Sequence, residues 1–265
     1  MKLLTYLHKH LEKVIFFVLV ALLIFLVTKR SMDGFFTQQH GINRLDAIIY
    51  INLENRGDRK DLLMKELEKL NTIMSKVHKV SGVFIPKNGH KGCVQSHILA
   101  LNMVKMNKWK RVLILEDDAE LNMSPEAFND MLNKVLDKLD EKDPNWNVFM
   151  LATVNKVIKK DTTAEPLTIN GASGEVIDAK LERLETATTS SAYIVKDSYV
   201  DDILNLFKSC NDNMKPEKLS GDNFEQWALD QKWADLQRKD NWYALDKEPI
   251  KQRAIWSTIL NESHK

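Results

Sequence analysis

Two cysteines, Cys93 and Cys210, are too few to build a disulfide framework, and nothing in the sequence requires them to pair. There is no excess of basic charge either. The formal net charge is +1, and the first 30 residues carry five of the 38 basic side chains and one of the 37 acidic ones. The remainder is therefore net −3 and has no basic field for a nucleic acid. A Gly-rich dinucleotide fingerprint is missing, which argues against a Rossmann dehydrogenase. Internal repeats and low-complexity tracts are absent too. What remains is a 265-residue chain, 44% hydrophobic and 28% charged, with the composition of an ordered globular protein.

One long apolar run stands out. Val14 to Val27 is unbroken, with Lys13 before it and Lys29-Arg30 after it. As a helix it covers about 21 Å of the roughly 30 Å hydrocarbon core. Thr28, Leu11 and snorkelling lysines narrow the shortfall. A cleaved signal peptide is the rival reading, but Phe25 to Lys29 lacks the small-x-small pattern of a cleavage site. We expect a transmembrane anchor over residues 1–30 and a polar stem over 31–44. Lys2, Lys9 and Lys13 slightly outweigh Lys29 and Arg30, which places the amino terminus in the cytoplasm. The globular domain, residues 45–265, would then lie on the lumenal or extracytoplasmic side of a single-pass protein.

The domain reads as α/β. Ala47–Ile51 and Val112–Leu115 are apolar runs without alternation, the pattern of strands buried on both faces of a mostly parallel sheet flanked by helices. Val77–Val80, Asn147–Leu151, Ala192–Val195 and Trp242–Leu245 are further strands. Asp58 caps a helix reaching Leu70, and Pro125 after Ser124 opens one reaching Leu139. A third helix carries Ile98, Leu101 and Val104, and a fourth spans Ser198–Phe207. A helix opening at Gly221-Asp222 carries Trp227, Asp230, Trp233 and Leu236. Residues 155–185 are polar and read as a long excursion, either a lid or a flexible loop.

Chemistry concentrates at Glu116-Asp117-Asp118, directly after the Val112 strand. Three adjacent carboxylates repel one another, and a divalent cation would offset that cost. The alternative is a solvated acidic turn in which Asp118 caps the next segment. If the strand persists, alternation puts Glu116 and Asp118 on one face and Asp117 on the other. Arg56 and Arg59 follow the first strand and can reach a diphosphate or remain surface charges. Cys93, Ser96 and His97 share one helical face near a helix start, where free amides suit a phosphate or a sugar hydroxyl. Zinc is a weak reading for Cys93 and His97, because no second pair of ligands accompanies them. In the plainer reading His97 packs against the sheet. Trp227, Trp233, Trp242 and Tyr243 are either a sugar-stacking platform or core.

These segments together resemble glycosyltransferase family 25, the lipopolysaccharide and procollagen galactosyltransferase group. The resemblance rests on Ile51-Asn52-Leu53 with Arg56, Asp58 and Arg59, on Gly92-Cys93 with Ser96-His97, and on Leu113 to Ala119. Thr189 to Val195 and the run from Asp230 through Trp233, Gln237 and Trp242 to Pro249, Gln252 and Ser257 match less closely. Thr258 departs from the family, which more often has Asp there. The likeness spans roughly residues 45–260. It implies a GT-A-like domain, a UDP-hexose donor, and manganese or magnesium. Asp118 is then the expected direct ligand, with Glu116 and Asp230 as further metal contacts. Asn52, Arg56, Arg59, Cys93, Ser96, His97, Glu116 and Asp117 are expected around the donor. Asp230, or else Asp222, is the candidate base for an inverting transfer to a glycan, glycolipid or protein acceptor. Two other readings stay open: a non-catalytic sugar- or protein-binding module on an anchor, and a nucleotide-diphosphate hydrolase.

Overall fold

The computed structural model describes residues 15–26, 40–86, 88–214 and 225–254. Residues 15–26 form a helix, α1, with mostly exposed apolar side chains. No helix among the described residues is long and apolar enough to cross a membrane. The rest of the expected anchor, most of the stem, Asp222, Ser257 and Thr258 lie outside the described residues.

The domain is a three-layer α/β unit. Its elements are β1 (Ala47–Asn52), α2 (Gly57–Lys69), β2 (Val77–Ser81), α3 (Gly89–Asn107), β3 (Arg111–Glu116), β4 (Ala119–Leu121) and α4 (Pro125–Lys142). There follow β5 (Val148–Met150), β6 (Val154–Ile158), β7 (Glu165–Asn170), β8 (Val176–Thr188), β9 (Ala192–Lys196) and α5 (Val200–Asn213). The chain continues with α6 (Leu229–Lys232), α7 (Ala234–Lys239), β10 (Trp242–Leu245) and β11 (Ile250–Gln252).

Eight strands lie in the order β2-β1-β3-β9-β5-β10-β8-β6, with β7 also on β8, making nine in all. Seven point one way; only β9 and β8 are reversed. The sheet is thus mostly parallel in direction but mixed in pairing, since β3 has a parallel neighbour in β1 and an antiparallel one in β9.

Alternation along the central strands feeds two cores. Ile48, Tyr50, Leu113 and Leu115 join Leu63 and Leu67 of α2 and Phe128, Leu132 and Val135 of α4. Ala47, Ile49, Val112 and Ile114 join Val94, Leu101 and Val104 of α3 and Ile203 and Phe207 of α5. Helix α4 starts as its sequence predicts, with Pro125 in the first turn and the Ser124 hydroxyl accepting from the Ala127 N–H.

Three expectations need correction. Residues 155–185 are neither lid nor loop: most of them lie in β6, β7 and β8, with β6 and β7 each pairing antiparallel with the long β8. One side of this part faces solvent, so its strands carry charges at alternate positions and lose the apolar signature. Residues 41–44, expected in the stem, pack on α4 with Ile42 fully buried, the Gly41 N–H donating to Asn133 and the Ile42 N–H to Asn129. The late helix is broken into α6 and α7, with Trp233 between them.

Candidate active site

Strand β3 ends at Glu116, whose N–H donates to the Ser191 carbonyl, and the chain turns at Asp117 and Asp118. The turn breaks alternation. Glu116 continues the register of Val112 and Ile114 and meets α3, whereas Asp118 meets Arg59 of α2 and Gln252 of β11. Glu116 and Asp118 therefore do not share a face.

Gly92 brings α3 close enough to build the site. A Cβ there would sit 2.3 Å from the Val83 carbonyl oxygen, so only glycine lets the helix lie against the loop after β2. The Ser96 hydroxyl locks that contact, donating to the Gly92 carbonyl and accepting from the Val83 N–H. It is thereby committed to the fold. His97, fully buried, has Nδ1 3.0 Å from the Tyr193 hydroxyl and Nε2 3.2 Å from Glu116 Oε1. The Ser190 hydroxyl donates to the same Glu116 oxygen. Burial pushes Glu116 up, but His97 and Ser190 outweigh it and its pKa lies below the ordinary value.

On the other side, the Arg59 guanidinium pairs with Asp118 Oδ2 and lies 3.0 Å from Asp117 Oδ1, close enough for an ion pair without the alignment of a hydrogen bond. Asn52 holds the other Asp117 oxygen at 2.8 Å. Asp118 is 3% exposed, and its Oδ1 is buried with no hydrogen-bond partner. Burial, then the Glu116 charge, lifts its pKa to about 7 against the pull of Arg59. Arg56 turns to Asp58, with Nε and Nη2 each 3.0 Å from a carboxylate oxygen.

Between these groups lies an open cleft of about 550 Å³, lined by Arg59, Phe84, Cys93, His97, Glu116 and Asp117, among others. Phe84 is 62% exposed, an aromatic face left in solvent at the cleft wall. The start of α3 borders the cleft at Gly89, where Asn88 caps the helix by accepting from the Lys91 N–H.

Asp230 accepts from the Thr189 N–H at 3.0 Å and so braces the turn that carries Ser190. Burial raises its pKa. The three carboxylates expected around one ion, Asp118, Glu116 and Asp230, do not form a single ligand cluster among the described residues. Trp233 and Trp242 are core rather than a sugar platform: both are fully buried, their rings 5.1 Å apart, with indole N–H groups donating to the Ala187 carbonyl and the Tyr199 hydroxyl. Tyr243 donates to Asp143, and Trp227 stacks under the Lys232 ammonium. Ser190, Tyr193 and Gln252 lie in segments that the resemblance covers, but no spacing links them to the acids; only the fold does.

The model of glycosyltransferase family 25 (LPS biosynthesis protein) matches residues 87–219, which carry α3, β3 and the acidic turn. The chain belongs to glycosyltransferase family 25. No curated protein matches this family 25 chain. Similar solved structures include A197 from STIV, 13% identical over 78% of this chain and 84% of that one, with a TM-score of 0.41. Mannose-1-phosphate geranyltransferase from Thermus thermophilus is 10% identical over 77% and 75%, with a TM-score of 0.40. A glycosyltransferase involved in the glycosylation of the major capsid of PBCV-1 is 10% identical over 75% and 91%, with a TM-score of 0.39. All three likenesses are distant.

Proposed function

We propose that this family 25 glycosyltransferase uses a GT-A-like domain to move galactose or glucose from UDP to a glycan, a lipid-linked glycan or a protein hydroxyl such as hydroxylysine. Manganese or magnesium would be held at Asp118. The observation that carries this reading is the buried Asp118 oxygen with no partner, next to Asp117 and Arg59, which line the open cleft. Magnesium-like ions need only one or two carboxylates, because waters and substrate phosphates complete their shell. An all-oxygen donor is the right chemistry for them. Such an ion, when bound, stabilises the negative charge that grows on the departing diphosphate.

The protein's own groups supply the rest. Arg59 sits where it can release the acids and pair with a diphosphate oxygen. The amides at the start of α3 offer further donors to phosphate, and Phe84 offers a stacking face to the base. Asp230, with its raised pKa, is the candidate base for the acceptor hydroxyl. The apolar run around residues 15–26 would anchor the domain with the amino terminus in the cytoplasm and the site across the membrane.

The full-length chain in detergent, given manganese and a panel of UDP-sugars, should release UDP from one donor. Asp118→Asn should lower that release by about 100-fold or more, the usual cost of losing a main charge-stabilising group. If no donor is turned over, and UDP with manganese leaves the melting temperature unchanged, the donor assignment is wrong.

A further inference from the structure

Cys93 and His97 are one turn apart on α3 and both face Glu116 at the end of β3. One ligand atom from each lies within 4.8 Å of the other two, the one such group of three among the described residues. His97 Nε2 is 3.2 Å and Cys93 Sγ 4.0 Å from the same Glu116 oxygen. Zinc bonds of about 2.3 Å to sulfur and about 2.0 Å to nitrogen or oxygen place tetrahedral ligands roughly 3.3–3.6 Å apart. His97 and Glu116 already stand close to that separation, and Cys93 Sγ would close on Glu116 by about 0.5 Å. On sequence alone the pair Cys93–His97 lacked partners; the fold supplies Glu116 as the third.

Two more features fit a metal centre. The Tyr193 hydroxyl at His97 Nδ1 is the outer partner that orients a ligating imidazole, with Nε2 left toward the ion. Three protein ligands beside an open cleft leave the fourth position to water or a ligand.

We propose that Cys93, His97 and Glu116 form a binding site for a zinc-class divalent cation, distinct from the oxygen site at Asp118. A thiolate, an imidazole and a carboxylate select such an ion over magnesium or manganese. On binding, the thiol proton passes to water. The imidazole gives up the Nε2 proton that faces Glu116 and carries its proton on Nδ1, which then donates to the Tyr193 hydroxyl. Bonds form to sulfur, Nε2 and oxygen, and no electron changes hands. Occupation also draws Glu116 and His97 onto the ion and narrows the cleft. The inference does not depend on the donor assignment above, because binding is read without turnover.

Cobalt is the probe. Titrated into the full-length, tag-free chain in detergent, Co²⁺ should give a thiolate-to-metal charge-transfer band that saturates at one equivalent and disappears on adding zinc. Cys93→Ser should abolish the band. Tyr193→Phe, which removes only the outer partner, should weaken binding by about tenfold or more with an unchanged circular dichroism spectrum. In the unmodified protein, zinc but not magnesium should protect the partly exposed Cys93 from alkylation, while buried Cys210 stays silent. No charge-transfer band in excess cobalt, or a band that survives Cys93→Ser, overturns the site.

Discussion

Glu116 and Asp118 are two residues apart in one acidic run and have opposite surroundings. Glu116 is satisfied: His97 and Ser190 meet it, and its pKa falls below the ordinary value despite burial. Asp118 is not: one oxygen has no partner, and burial with its acidic neighbours lifts its pKa to about 7. A carboxylate with its partners in place stabilises the fold, whereas one left short of partners is held by the fold for something that binds later. The first belongs to the architecture of the unliganded protein. The second is where an ion or a substrate has most to gain.

Removing the partner on the satisfied side should have the largest effect. His97→Ala strips Glu116 of a charge-assisted hydrogen bond and opens a cavity beside Tyr193 and Phe207, costing about 3 kcal/mol in urea unfolding. Asp118→Asn at pH 7 should cost much less; equal losses would break the comparison.

A smaller effect, set by pH, sharpens it. For Asp118 the fold favours the protonated acid, so the stability it contributes is full below the ordinary 3.8 and is lost as pH rises through about 7. In chelator-treated protein the melting temperature of the wild type should fall relative to Asp118→Asn between those values and then run parallel. A gap that is flat across this window would place the charge burden elsewhere.

The smallest effect concerns the turn that brings Ser190 to Glu116. Thr189 has a φ of 72°, a left-handed conformation that a β-branched residue rarely adopts, and Asp230 holds its N–H. Thr189→Gly should raise stability by about 1 kcal/mol, measured by urea unfolding, if strain is stored there. No gain would mean that the turn is relaxed by its contacts.

Much of the architecture was legible because it is written locally. The apolar runs of β1 and β3 and the Ser124-Pro125 start of α4 each announce their element within a few residues. The strands β6 to β8 were hidden by their solvent face, where Lys180, Glu182 and Arg183 interrupt the apolar positions. The site was legible in its residue types but not in their pairing. Assigning Glu116 and Asp118 to one face presumed that the strand ran on, and the turn at Asp117 decides otherwise. Tyr193, Gln252 and Arg253 reach the site from up to 135 residues away, a relation that no local pattern records.

Strand β11 pairs with β4, Gln252 touches the Asp118 carboxylate, and the Arg253 N–H donates 2.7 Å to the Asp118 carbonyl. This strand follows the acidic turn in the chain by the length of most of the sheet. Asp118 is synthesised well before the segment that seats it, so a growing polypeptide carries the acidic turn without its clamp. The assembled centre comes into being only once β11 has been made, and a protease that clips the chain between β10 and β11 would disarm it while sparing both cores' central strands.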